Sequence, residues 1–188
     1  MDRRDFLQKL GMSATVLTLS GSLWQVVNAT PMSELSDTDR MLYTELASIC
    51  DLVLPDTDTL GAKAVDVQKW LLLAARHELE GVSYSQLQDF VQQLNQSSPF
   101  SSLSEEQQLN VLGPIDQLAF TRGATQTALS AFWHKLKALI LTGYYTSKVG
   151  GSEELRYKLV HGEMKADTKV DPQTARAWSS DWIAVTLG

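Results

Sequence analysis

Apolar residues recur at helical spacing along most of this chain. The clearest stripe follows Ser83, a residue type favoured at helix N-caps, and occupies positions i, i+3, i+4 and i+7. Its members are Leu87, Phe90, Val91 and Leu94. Strands alternate with a period of two, so a strand built from these residues would expose much of the stripe. The spacing therefore predicts helices, and the sequence as a whole predicts an all-α fold.

Two helices are predicted before this stripe. The first begins after Ser36 and ends at Pro55, because proline cannot continue a helix. Its apolar positions are Leu42, Leu46, Ile49 and Val53. A polar loop follows, and a second helix is expected from Val67 to near Gly81.

Two further helices are predicted after the stripe. Ser104 begins a fourth helix, which carries Leu109 and Leu112 and which we expect to be interrupted or kinked near Gly113-Pro114. A fifth helix is expected from about Thr127 to Thr142. Its predicted buried residues are Ala128, Phe132, Leu136, Leu139 and Ile140.

Beyond Gly143 the helical pattern weakens into a loop-rich, aromatic C-terminal part, with a possible sixth helix after Asp171-Pro172. Residues 30–188 are therefore expected to form a single domain of about five or six helices.

The first 29 residues predict an export signal. Arg3-Arg4 precedes Phe6-Leu7 and a short, weakly apolar stretch, which is the order of a twin-arginine signal. Val27-Asn28-Ala29 suits a signal peptidase, so cleavage is expected after Ala29. An ordinary secretion signal and a cytosolic amphipathic helix remain as alternatives.

No cofactor motif is recognisable in the rest of the chain. Neither G-x-G-x-x-G nor a P-loop occurs, and His77, His134 and His161 lack the spacing of paired ligands on one helix. A single cysteine cannot build an iron–sulfur cluster, a c-type haem attachment or a cysteine zinc site. Twin-arginine cargo is mostly cofactor-bearing, so we expect this chain to bind no cofactor or metal itself and to escort a second protein that does. Its net charge of −6 makes nucleic acid an unfavourable partner.

Three aspartates and the single cysteine are expected to have structural roles rather than catalytic or metal-binding ones. Asp51, Asp56 and Asp58 lack the spacing of a calcium loop, and turn formation explains them without metal. Cys50 lies in an apolar helical run and is expected to be a buried thiol, with an intermolecular disulfide left open.

Aromatic residues near the C-terminus are candidates for partner contact. Tyr144-Tyr145 follows the fifth helix, and Trp178, Trp182 and Val185 fall at positions i, i+4 and i+7. Tryptophan and tyrosine are enriched among residues that dominate binding energy. Packing in this domain's own core is the alternative for all five.

Two segments carry a family resemblance. The segment from Ile49 to Ala62, with Leu54-Pro55-Asp56 at its centre, and the segment from Phe132 to Ser147, with Tyr144-Tyr145 near its end, follow the leader described above. Together they resemble the small subunit, subunit 3, of gluconate 2-dehydrogenase over most of the chain.

The resemblance implies a non-catalytic subunit of a periplasmic oxidoreductase complex. In such complexes a large flavoprotein of the glucose-methanol-choline type holds FAD and oxidises a sugar or sugar acid, often passing electrons to a multihaem cytochrome c. The small subunit carries the export signal for the flavoprotein, and the translocase exports both folded. The complex would act in the periplasm, at the face of the inner membrane. The alternatives are a stand-alone periplasmic enzyme of unknown substrate and a secreted adaptor domain for an unrelated cofactor protein.

Overall fold

The computed structural model describes residues 23–29, 31–95, 98–157, 176 and 178–179. Within these ranges the α-helices are α1 (23–29), α2 (Asp37–Val53), α3 (Val67–Arg76), α4 (Tyr84–Leu94), α5 (Glu105–Phe120) and α6 (Ala128–Tyr145). Short 3-10 turns lie at Met32–Glu34, Leu79–Gly81 and Phe100–Ser102, and a π-turn lies at Gly150–Glu154. None of these described helices is long and apolar enough to span a bilayer. The predicted all-α fold is confirmed.

Side-chain caps set where the helices begin. At the start of α2, the Ser36 hydroxyl accepts a hydrogen bond of 3.2 Å from the backbone amide of Asp39. Reciprocal capping boxes begin the three later helices, at Ser83, Ser104 and Thr127. These bonds satisfy amides that have no partner within the helix. The helix starts predicted at Ser36, Ser83, Ser104 and Thr127 are confirmed.

The α3 helix is the centre of the core. Most of its side chains are buried, and it packs against both α2 and α6. Trp70 is fully buried in α3, and the ring of Trp24 in α1 stacks on it with 6.4 Å between ring centroids. Because α3 is buried on nearly every side and contacts α1, α2 and α6, the positions of these three helices depend on it.

A buried tryptophan joins α5 to α6. Trp133 donates its indole Nε1–H to Asp116 Oδ1 at 2.7 Å, and Lys137 Nζ donates to the same oxygen at 2.6 Å. Burial raises the pKa of Asp116, but the hydrogen bonds from Lys137 and Trp133 and the lysine charge outweigh it, so the pKa is lowered. Asp116 is therefore held ionised between the two helices.

The second predicted helix ends earlier than expected. α3 stops at Arg76, and Glu78 and Glu80 have positive φ angles of 52° and 54°. A non-glycine residue with positive φ cannot belong to a right-handed helix. The chain instead forms the short turn Leu79–Gly81, so the prediction of a helix reaching Gly81 was wrong in its last turn.

Of the interruption or kink predicted near Gly113-Pro114, the interruption does not occur. α5 continues through Pro114 to Phe120. Pro114 has no amide hydrogen to donate to the carbonyl of Asn110, but both residues are exposed, so water can hydrogen-bond that carbonyl. Of the two apolar residues predicted on this helix, Leu112 is buried and Leu109 is 51% exposed.

The buried face of α6 differs from the prediction at its first residue. Leu136, Leu139 and Ile140 are buried as expected, and Phe132 is partly buried. Ala128 is exposed, because it lies about 140° around the helix from Trp133, which occupies the core instead.

The C-terminal part contains a strand where a helix was considered. The strands β1 (Arg156–Tyr157) and β2 (Trp178–Ser179) pair in parallel, with Arg156 opposite Trp178. Trp178 therefore has extended backbone rather than helical backbone.

A buried carboxylate links three helices. Asp39 of α2 accepts hydrogen bonds from Arg76 Nη2 at 2.6 Å, Tyr84 Oη at 2.7 Å and Ser36 Oγ at 2.7 Å. Arg76 ends α3 and Tyr84 begins α4. Burial raises the pKa of Asp39, but the hydrogen bonds from Ser36 and Tyr84 and the charge of Arg76 outweigh it, so the pKa lies below its ordinary value of 3.8.

We predict that Asp39→Asn lowers the free energy of unfolding by about 2–4 kcal/mol, because Arg76 and Tyr84 lose a buried charged partner. Asp37→Asn is the matched control, since the Asp37 side chain is fully solvated in the first turn of the same helix. Urea unfolding at pH 7 measures the free energy of unfolding of both variants.

The pKa of Asp39 is lowered in the folded state, so the stabilisation that its carboxylate provides is present above about pH 4 and is lost as the pH falls further. The difference between the wild type and Asp39→Asn should therefore shrink below pH 4, and a difference that does not change with pH would contradict this role.

Candidate partner-binding surface

The two segments that carry the family resemblance meet in the structure. The loop after α2 folds back on itself: Ala62 N donates to Leu54 O at 2.9 Å, and Gly61 N donates to Asp56 Oδ1 at 2.6 Å. The closed loop lies against the end of α6, where Tyr144 Oη donates to Leu60 O at 2.9 Å. We call residues 54–62 the α2–α3 loop.

Glycine is required at position 61 by close packing. A Cβ atom placed there would lie 2.4 Å from Leu54 O and 2.6 Å from Pro55 C. Both atoms belong to the backbone, so they cannot move aside without opening the loop. The close approach is what permits the hydrogen bond from Ala62 to Leu54.

Polar contacts from the C-terminal part hold the other side of the α2–α3 loop. Thr59 Oγ1 donates to Glu154 Oε2 at 2.5 Å, and the Arg176 guanidinium pairs with Asp58. The hydrogen bond and charge of Arg176 lower the pKa of Asp58. The loop therefore joins α2 and α6 to the segment that follows α6.

Each aspartate near this loop has its own protein partner. Asp51 pairs with Lys63 at 2.8 Å, Asp56 accepts the Gly61 amide, and Asp58 pairs with Arg176. Nowhere in the described ranges do three histidine, cysteine, aspartate or glutamate side chains come together as metal ligands would. These contacts support a role for the loop in folding.

The outer side of α6 presents apolar surface to solvent. Besides Ala128 in the first turn and Lys135, the exposed residues of α6 fall at positions i, i+4, i+7 and i+11, so they form one stripe about 16 Å long. They are His134, Ala138, Leu141 and Tyr145, and we call this stripe the α6 outer face. Leu141 is 37% exposed and Tyr145 is 38% exposed.

Phe120 of α5 extends the α6 outer face at one end. Its exposed ring stacks on His134, with 4.9 Å between ring centroids, and Lys137 Nζ lies 4.8 Å from the centre of the same ring. The exposed ring suits contact with a partner, because its burial would remove a large apolar area from water.

The two tyrosines predicted at a partner interface occupy different environments. Tyr144 is buried, and burial raises the pKa of its hydroxyl, which donates to Leu60 O. Tyr145 packs edge-on against Tyr144, 5.1 Å between ring centroids, and keeps much of its surface exposed. Tyr144 therefore supports the fold, whereas Tyr145 offers surface to a partner.

Most of the other predicted site residues lie outside the described residues. Trp178 is described only through its backbone in β2. Trp182, Val185 and the export residues Arg3, Arg4, Phe6 and Leu7 are not among the described residues. Ala29, the predicted cleavage site, is exposed in α1.

Cys50 is fully buried in α2. Burial, aided by the nearby charges of Asp51 and Asp66, raises the pKa of its thiol well above the ordinary value. A thiol that is neutral and inaccessible is unreactive, so the predicted structural role is supported and an intermolecular disulfide would require unfolding.

Leu141, which lies between His134 and Tyr145 on the α6 outer face, was not among the predicted site residues. The sequence did contain an indication of this exposed residue, because α6 carries apolar residues outside the stripe that faces the core.

We predict that Gly61→Ala destabilises the domain by about 2 kcal/mol or more, because the added methyl group strains the backbone at Leu54 and Pro55. Leu60→Ala is the control in the same loop, since the Leu60 side chain is half exposed and should change stability by about 0.5 kcal/mol or less. Thermal unfolding of both variants tests this, and equal melting temperatures would refute the packing argument.

Comparison with known proteins identifies the family. A sequence model of the family described as gluconate 2-dehydrogenase subunit 3 matches residues 43–162, which include the α2–α3 loop and the whole of α6. Comparison with curated proteins finds no match, and neither does comparison with solved structures. The matched range covers more than half of the chain, so this protein belongs to the gluconate 2-dehydrogenase subunit 3 family.

Proposed function

We propose that this chain is the non-catalytic small subunit of a periplasmic FAD-dependent dehydrogenase of the glucose-methanol-choline type. Its work is to bind the catalytic flavoprotein, to stabilise it and to escort it through export. The observation that carries the proposal is the family match over residues 43–162, because the family is described as a subunit of gluconate 2-dehydrogenase.

The α6 outer face is the surface we assign to the flavoprotein. A helix that is apolar on opposite sides is normally buried on both, because exposed apolar area is unfavourable in water. One side of α6 is buried through Trp133, Leu136 and Ile140, whereas Leu141 and Tyr145 on the other side are open. A subunit of a complex has a partner that can cover this side.

In this proposal the partner carries out the redox chemistry and this chain has a structural role. The partner binds FAD, which accepts the electrons of the sugar or sugar acid, and a cytochrome c subunit can carry them onward. The polar clusters described in this chain, at Asp39, Asp116 and Asp58, are each occupied by contacts between structural elements. They stabilise the shape that the partner recognises.

Export is the second part of the proposal. We assign Arg3 and Arg4 to recognition by the twin-arginine translocase, which carries folded proteins. A flavoprotein without its own signal would cross the membrane only when bound to this chain. The interface residues predicted in the C-terminal tail, Trp182 and Val185, remain predicted contacts of the same partner.

We predict that Leu141→Glu weakens association with the flavoprotein at least tenfold, because it places a charge in a buried apolar contact. Leu118→Glu is the matched control, since Leu118 of α5 is similarly exposed at 39% and lies two residues from Phe120, on a different side of that helix. Titration calorimetry or biolayer interferometry measures the binding, and thermal unfolding checks that both variants remain folded. Equal affinity of the two variants would reject the α6 outer face.

We predict that replacing Arg3 and Arg4 together by lysine stops export of this chain and of its partner. Lysine keeps the charge but lacks the planar guanidinium that donates several hydrogen bonds in a fixed geometry. Fractionation followed by flavin fluorescence and immunoblotting locates both proteins. Arrival of the flavoprotein in the periplasm of this variant would contradict the escort role.

A further inference from the structure

The last part of the predicted export signal is packed into the folded domain. Residues 23–29 form α1, although they precede the predicted cleavage after Ala29. Leu23 and Val27, four residues apart and thus on one helix face, are 4% and 1% exposed. Both belong to the same apolar core as Trp70 of α3. Removal of a leader that ends at Ala29 would therefore remove two side chains from the core of the domain.

Trp24 fixes α1 between α3 and α6. Its ring stacks on Trp70 with an interplanar angle of 23°. Its indole Nε1–H is shared between Gly143 O at 3.2 Å and Thr146 Oγ1 at 3.3 Å, both at the end of α6. The contact is thus both apolar and directional, and it sits beside the part of α6 that meets the α2–α3 loop.

A buried lysine contacts the third-last residue of the predicted leader. Lys69 is 6% exposed, and its Nζ donates to Val27 O at 2.7 Å. A buried ammonium group is unfavourable unless it is hydrogen-bonded. The carbonyl of Val27 is one of the partners that makes this lysine acceptable in the core, so removal of α1 would deprive Lys69 of this hydrogen bond.

Val27 cannot be packed in the folded domain and bound by a signal peptidase at the same time. A signal peptidase reads small side chains at the last and third-last positions of the leader, here Ala29 and Val27. Proteases take this stretch in an extended conformation, with both side chains accessible. In the structure Val27 is helical, its side chain is buried, and its carbonyl is bonded to Lys69. The site becomes available only if α1 detaches and unwinds.

We propose that α1 is a permanent helix of the domain and that folding protects the bond between Ala29 and Thr30 from hydrolysis, so the exported protein retains its leader. The proposal rests on the export proposed above, because a twin-arginine substrate reaches the peptidase already folded. The α1 segment then has two roles: it links the signal to the domain, and it covers Trp70 and Lys69.

The test compares the purified full chain with a synthetic peptide of residues 1–36, which has the same cleavage sequence without the domain. Each is incubated with purified signal peptidase in detergent, and intact mass is followed with time. We expect cleavage of the peptide after Ala29 and an uncut full chain. Cleavage of both at similar rates would overturn the proposal. Cleavage of neither would also overturn it, because the sequence alone would then spare the bond.

Two variants of the full chain show whether docking of α1 is the cause. Trp24→Ala removes the stack on Trp70 and both indole contacts, whereas Gln25→Ala changes the exposed neighbouring residue. We expect at least a tenfold faster cleavage of Trp24→Ala together with a lower melting temperature, and no change for Gln25→Ala. Equal resistance of both variants would refute protection by α1. The assay does not involve translocation, so failure of the lysine-for-arginine export test would leave its outcome readable.

Discussion

The position of Trp70 in α3 is the constraint on which the rest of the structure depends. Trp24 stacks on one side of it, and Gly143 of α6 approaches it so closely that a Cβ atom at Gly143 would lie 2.7 Å from Trp70 Cε3. The absence of a side chain at Gly143 lets the end of α6 settle on α3. This close approach places Tyr144 under the α2–α3 loop and orients Tyr145 outward. Core packing and the candidate surface are therefore two consequences of one contact.

The polar contacts complete what apolar packing begins. Asp39 fixes the ends of α2, α3 and α4, and Asp116 fixes α5 to α6. Each carboxylate gathers two or more donors, which specifies how the helices meet and, at the buried Asp39, compensates the cost of burying a charge. With the helices fixed on their inner sides, the α6 outer face is presented on a rigid support. A rigid surface loses little conformational entropy on binding.

Local signals in the sequence predicted much of the fold. Ser36, Ser83, Ser104 and Thr127 begin helices through contacts that span three residues, so their chemistry is legible in the sequence. The failures concern tertiary context: continuation through Pro114 depends on solvent reaching the carbonyl of Asn110, and the exposure of Ala128 depends on where Trp133 finds its partner. The contact of Tyr144 with Leu60 joins residues 84 positions apart, and no local pattern encodes it. The contact of Trp24 with Trp70 of α3 was not predicted either, because it too joins residues far apart in the sequence. The composition of residues 1–29 predicted only a leader.

Within the candidate surface, the sequence identified Tyr145 but not its neighbours on α6. The aromatic pair Tyr144-Tyr145 was conspicuous, whereas Leu141 was not predicted, although it lies outside the predicted buried stripe of α6 and is 37% exposed. The central claim is that this outer side binds a flavoprotein, and hydroxyl-radical footprinting of the free chain and of the co-purified complex tests it most directly. We expect the oxidation of Tyr145 and Leu141 to fall strongly in the complex, while the oxidation of Met41, which is exposed on α2, stays unchanged. Equal oxidation of Tyr145 and Leu141 in the free and bound chain would contradict it.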